Sequence, residues 1–325
     1  MKALYFVVIS IFVLSCAKSK EEENLSLKHE ALYYLTSGDC DKAQSALDDM
    51  DPDSEDSTYY SLYASVYECK AGFSQINTVL DNIDDLEASS NNLFKTLASF
   101  RSAQEVTAPD DSKYTNLLKA LAVINSSTSV GGATQRISQF GETRASDLNF
   151  QALLITTIAL SKYLGAYGNI DVDGTKGAGT GAQVCLAQYN YNNVNNIYLD
   201  AANLDLCTSA TTSNAETSIN TGDSEYTRKL CEGIILYNNF FDLLANLTLP
   251  ADTSELGELE DVEAILETFK VAATAAFSGP GDGPAITTYE NIRDVSSCET
   301  TAQLNATNAN YLEAYYSAFL EGNHN

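Results

Sequence analysis

The side chains whose spacing comes nearest to a known chemistry are those of Asn169-Ile170-Asp171-Val172-Asp173-Gly174. Oxygen donors at alternate positions, followed by a glycine that allows a sharp turn, form the first half of a calcium loop. Asn169, Asp171 and Asp173 are the candidate ligands. The position that would supply a bidentate glutamate holds Thr180, so the shell needs an acid from the region of Asp200 or Asp205. The competing reading is an Asx-rich turn that caps a helix. Calcium is the one cofactor the sequence offers, and otherwise none is expected.

Other constellations fall short of a reaction. The loop Gly174-Thr175-Lys176-Gly177-Ala178-Gly179-Thr180-Gly181 places its lysine before the glycines and follows a helical pattern, so it reads as a flexible loop rather than a phosphate cradle. Asp48, Asp49, Asp51, Asp53, Glu55 and Asp56 crowd one turn and read as a solvated charge run. The only histidines are His29 and His324, which leaves almost no imidazole for zinc or general base work. No pair among the 44 acidic residues has a context that singles it out. No enzyme is expected. The 19 tyrosines include Tyr59, Tyr60, Tyr63, Tyr67, Tyr189, Tyr191 and Tyr198, which could line a groove, although helical spacing favours core packing.

The elements that must carry these residues are helical. Leu25, Leu27, Ala31, Leu32, Tyr34 and Leu35 make a helical stripe over 25–37; Gly38-Asp39-Cys40 breaks it, and Ala43, Ala46 and Leu47 resume it over 42–50. A second hairpin is expected from 57–71 and from the stripe Phe73, Ile76, Val79, Leu80 and Ile83, with Gly72 between them. Further helices are expected over 92–104, 112–124, 146–167, 182–199, 225–247, 255–277 and 302–321. Strand signals are scarce, so the fold class is all-α, as one body or as two bundles in contact. Segments rich in Gly, Ser, Thr and Asn at 126–134, 174–181, 208–222 and 278–284 read as loops.

Of seven cysteines, Cys16 stands apart and six remain: Cys40, Cys69, Cys185, Cys207, Cys231 and Cys298. An even number without a Cys-x-x-Cys motif favours structural disulfides in an oxidising compartment. In antiparallel hairpins the start of the second helix lies beside the end of the third, which pairs Cys40 with Cys69. Nearest-neighbour pairing then joins Cys185 to Cys207 and Cys231 to Cys298.

Composition narrows the partners. With 18 Lys and Arg against 44 Asp and Glu, the net charge of −26 disfavours nucleic acid and anionic lipid alike. A content of 44% hydrophobic residues belongs to a folded chain.

The first residues add an address. Met1-Lys2, an uncharged apolar run over 3–14, and Val13-Leu14-Ser15-Cys16 resemble the lipobox of bacterial lipoproteins. The resemblance implies cleavage after residue 15 and acylation of Cys16. Ala17, in place of the aspartate that signals inner-membrane retention, implies an anchor on the periplasmic face of the outer membrane. Residues 16–24 would then be the acylated cysteine and a polar tether. No later apolar run approaches the roughly 20 residues of a membrane-spanning helix, so none is expected after processing.

Gly38 and Gly72 stand 34 residues apart, and Gly38-Asp39-Cys40-Asp41-Lys42-Ala43-Gln44-Ser45-Ala46-Leu47, closed by Asp51-Pro52, resembles the core of a tetratricopeptide repeat. The resemblance implies repeat-like hairpins over 25–105, leading into a helical bundle over 106–325, and a groove for a protein or peptide. A plain two-hairpin bundle is the alternative. The expected function is an outer-membrane-anchored scaffold that binds an envelope protein or peptide. The alternative is a small-ligand-binding accessory lipoprotein similar to the T component of tripartite periplasmic transporters.

Overall fold

The structure is a computed structural model that describes residues 19–51, 56–73, 111–129, 131–167, 186–189, 219–246 and 283–321. Among these residues the fold is all-α. The helices are α1 (Lys20–Thr36), α2 (Cys40–Asp48), α3 (Ser57–Ala71), α4 (Ser112–Ser126), α5 (Ala133–Phe140), α6 (Glu142–Tyr167), α7 (Tyr226–Ala245), α8 (Gly283–Tyr289), α9 (Val295–Gln303) and α10 (Ala306–Tyr316). A π-helical turn, Ser317–Glu321, continues α10. The helices expected at 92–104 and 255–277, and the 73–83 helix of the second hairpin, lie outside the described residues apart from Phe73; of the helix expected over 182–199 only 186–189 are described, and they are not helical, the Gln188 N–H donating instead to the Ile219 carbonyl.

Local chemistry explains most of the helix ends. Ser19 and Glu22 form a reciprocal capping box that starts α1 at Lys20, so residues 20–24, expected in the tether, belong to the first helix. Asp39 caps α2 and Asp56 caps α3 by accepting from backbone N–H groups. Gly72 ends α3 in the left-handed conformation at φ 68°, where a side chain would be strained. Asp111, Asp294 and Asn305 cap α4, α9 and α10 in the same way as Asp39.

Two apolar clusters organise the packing. The smaller holds Ala31, Ala43, Ala46, Leu47, Met50 and Val66, contributed by α1, α2, the residue-50 turn and α3. The larger is built on α6 and α7, with α4 and α5 packed on α6, α9 and α10 packed on α7, and α8 against α10. Helices α6 and α7 bury side chains around most of their circumference, as central helices must. Helix α3 joins the clusters, since Val66 belongs to the small one while Ala64 and Ala71 belong to the large one.

Two disulfides among the described residues fix this arrangement. Cys40 and Cys69 bridge α2 to α3, and Cys231 and Cys298 bridge α7 to α9, each with Cα atoms 5.7 Å apart. Tyrosine packs as core in the large cluster: Tyr114, Tyr163, Tyr189, Tyr289 and Tyr316 are fully buried. Three departures from the sequence reading stand out. Helix α5 occupies the end of an expected loop and extends beyond it, α8 and α9 form where none was expected, and the single helix expected over 302–321 is interrupted between Gln303 and Ala306.

Candidate functional site

The N-terminal unit is held together on one side and open on the other. A series of polar ties joins its elements. Lys28 pairs with Asp56 at 2.5 Å, Lys70 pairs with Asp41 at 2.7 Å and donates to Gln44, and Tyr63 donates to Asp48. Asn24 donates its amide to the carbonyl of Asp51 at 2.9 Å, and Lys20 pairs with the Asp51 carboxylate. Burial and the neighbouring Asp48 carboxylate raise the Tyr63 phenol above its ordinary value, so it stays a donor.

The outer face of α1 is different. Five large apolar side chains are exposed among the described residues, and three of them, Leu25 (53%), Leu32 (49%) and Tyr33 (68%), lie on this one helix. Leu25 and Leu32 are two turns apart and share a face. Glu21, Glu22, Glu23 and Glu30 are exposed around them. The result is a short apolar strip in an acidic setting. Such a surface suits an apolar segment flanked by basic residues better than an anionic bilayer.

A second concentration of polar groups lies inside the large cluster, where α4, α5, α6, α7 and the chain before α9 converge. Arg136 of α5 is fully buried. Its Nε donates to Asn149 Oδ1 at 2.6 Å, and its Nη1 donates to the Gly131 carbonyl at 2.7 Å and to Asn125 Oδ1 at 3.3 Å. Asn125 in turn donates to Asn239 Oδ1 at 2.9 Å and to the Arg293 carbonyl at 3.1 Å. Asp242 Oδ2 accepts from the Ala133 backbone N–H at 2.8 Å, so α7 supplies the cap that α5 lacks in its own sequence. Desolvation pulls the Arg136 guanidinium down to about 10, with the Asp242 charge opposing and the Arg293 charge reinforcing that change.

The polar chemistry of α7 extends along its length. Glu232, 1% exposed, accepts from the Tyr114 hydroxyl at 2.7 Å and from Arg228 at 2.9 Å, and burial raises its carboxyl above the ordinary range. Tyr226 donates to Glu313 at 3.0 Å, and the Tyr163 and Tyr316 hydroxyls lie 2.9 Å apart. These contacts tie helices together and present no nucleophile beside a base.

The residues singled out by sequence divide plainly. Cys40, Cys69, Cys231 and Cys298 are paired as described above. Cys16, Cys185, Cys207 and the calcium-like Asn169, Asp171 and Asp173 lie outside the described residues. Among the described residues no group of three or more His, Cys, Asp or Glu side chains is placed to hold a metal ion, and no helix is long and apolar enough to cross a membrane. The Arg136 centre was not foreseen. Its only sequence signal is polar residues, such as Asn149 and Asn239, at positions where the helical stripe calls for apolar ones. No protein-family model, curated protein or solved structure matches this chain.

Proposed function

We propose that this is a lipid-anchored envelope protein that binds a protein or peptide partner through its N-terminal helical unit. The observation that carries the reading is the apolar strip Leu25, Leu32 and Tyr33 on a helix that begins four residues after the lipobox-like Cys16. A chain tethered at Cys16 keeps the first residue of α1 within about 14 Å of the acyl chains, since an extended residue spans at most about 3.6 Å, and the 17-residue helix extends about 25 Å from there. The strip would therefore meet partners near the membrane surface. Its glutamates favour a basic, apolar segment, and a charge-steered encounter of this kind weakens with added salt. The repeat-like spacing of Gly38 and Gly72 is compatible with this role, because stacked helical hairpins present long faces to peptides.

Mass spectrometry of the N-terminal peptide, compared with a Cys16→Ala form, tests the anchor. The expected result is Cys16 as the first residue, with a diacylglyceryl group on its thiol and an acylated amine, and loss of membrane association in the variant. An unmodified N-terminus starting elsewhere would refute it. The Leu25→Glu/Leu32→Glu double variant tests the surface. It should fold as the parent does, with an unchanged circular dichroism melt, and should lose partner capture.

A further inference from the structure

Three buried donor atoms around the Arg136 centre have no acceptor among the described residues: Arg136 Nη2, Asn149 Nδ2 and Arg293 Nε. Their arrangement follows from covalent geometry. Nε and Nη2 form one edge of the planar guanidinium, the edge that takes both oxygens of a carboxylate in a bidentate pair. Here Asn149 Oδ1 occupies the Nε side of that edge. Among the described residues Arg136 Nη2, on the other side, has no acceptor, and neither has the Asn149 amide nitrogen, which is bonded to the same carbon as Oδ1.

The charges are unbalanced in the same place. Arg136 and Arg293 converge on a single carboxylate, Asp242, which already accepts from Ala133 and lies 3.7 Å from Arg293 Nε. Every atom that accepts from Arg136 is a neutral carbonyl. Among the described residues, two guanidinium groups thus face one carboxylate here, in a chain whose net charge is −26. Burying an uncompensated guanidinium is costly.

We propose that Arg136 and Asn149 hold a small inorganic anion of halide type, which accepts hydrogen bonds from Arg136 Nη2 and Asn149 Nδ2. A halide uses both idle donors and neutralises the excess charge. A water molecule in the same place would leave the charge uncompensated. The anion would pin α5 to α6 and complete the junction that Gly131 threads, where a Cβ would lie 3.2 Å from the Arg293 side chain.

The test uses the whole chain in chloride, bromide or gluconate at one ionic strength, gluconate being too large for an enclosed site. The parent should melt about 2 °C higher for each tenfold rise in halide and show no such response to gluconate. Crystals grown in bromide should show an anomalous peak within hydrogen-bond distance of Arg136 Nη2. Asn149→Asp gives that edge its own carboxylate, so this variant should fold and lose the halide response. Equal melting in all three salts, a halide response that survives in Asn149→Asp, or water alone at the bromide position would overturn the proposal.

Discussion

Gly233 of α7 lies directly beneath the ring of Tyr163 in α6, so that a Cβ at residue 233 would sit 2.7 Å from the phenol oxygen. That approach lets the Tyr163 hydroxyl donate to the Lys229 carbonyl at 2.7 Å and meet the Tyr316 hydroxyl at 2.9 Å. The central helix pair and the C-terminal helix are therefore joined at one point, and that point exists because residue 233 has no side chain. Gly233→Ala should destabilise the protein by about 2 kcal/mol through overpacking, although alanine is the better helix former. Urea denaturation measures this, and an increase in stability would show that the contact is slack.

The Cys40–Cys69 bridge closes a loop with a sequence separation of 29 residues. In the chain-entropy model such a bridge stabilises by about 3 to 4 kcal/mol. Cys40→Ser/Cys69→Ser should lower stability by about that amount. The loss should appear as earlier melting of α1 to α3, because the bridge joins α2 to α3 around the small cluster. Hydrogen exchange resolved along the sequence should show the greatest loss of protection in residues 20–71. Uniform loss across the chain would contradict the two-cluster description.

Glu232 binds its proton more tightly in the fold than in the unfolded chain, because burial raises its carboxyl above the ordinary 4.5. Its protonated form therefore favours folding fully below pH 4.5, and that contribution is lost as the pH rises through the folded value. Glu232→Gln keeps an acceptor for Tyr114 and removes the titration. The variant should show a flatter decline of stability with rising pH just above 4.5. A pH profile parallel to that of the parent would mean that Arg228 already cancels the cost of burial.

Elements whose signals are local were legible in the sequence. Helix α3 spans the expected 57–71 and ends where Gly72 adopts positive φ, whereas Asp56, read as part of a solvated charge run, caps its start. The Cys40–Cys69 pair followed from the two glycine breaks that make the hairpins antiparallel. Elements fixed by distant groups were not legible. Helix α5 has eight residues and no cap of its own; Asp242 supplies one from α7. The break between α9 and α10 depends on Asn305, whose side chain accepts from the Asn308 N–H at 2.9 Å, within a pattern that otherwise continues as helix. The Arg136 centre gathers polar residues from separate helices, each of which resembles an isolated exception to an apolar stripe. The exposed strip on α1 is hidden in the sequence for the opposite reason. Leu25 and Leu32 fit a buried stripe, and only the packing shows that Ala31 faces inward instead.

The account rests most heavily on α1 as the docking face, and site-specific photo-crosslinking in intact cells tests it most directly. A photoreactive side chain is placed at Tyr33 or, as a control, at Leu304, which is equally exposed at 69% but lies on the large body. The account predicts one discrete adduct from position 33 that disappears with Leu25→Glu/Leu32→Glu and is absent from position 304. The same products from both positions, or an adduct from 33 that survives the double variant, would contradict it.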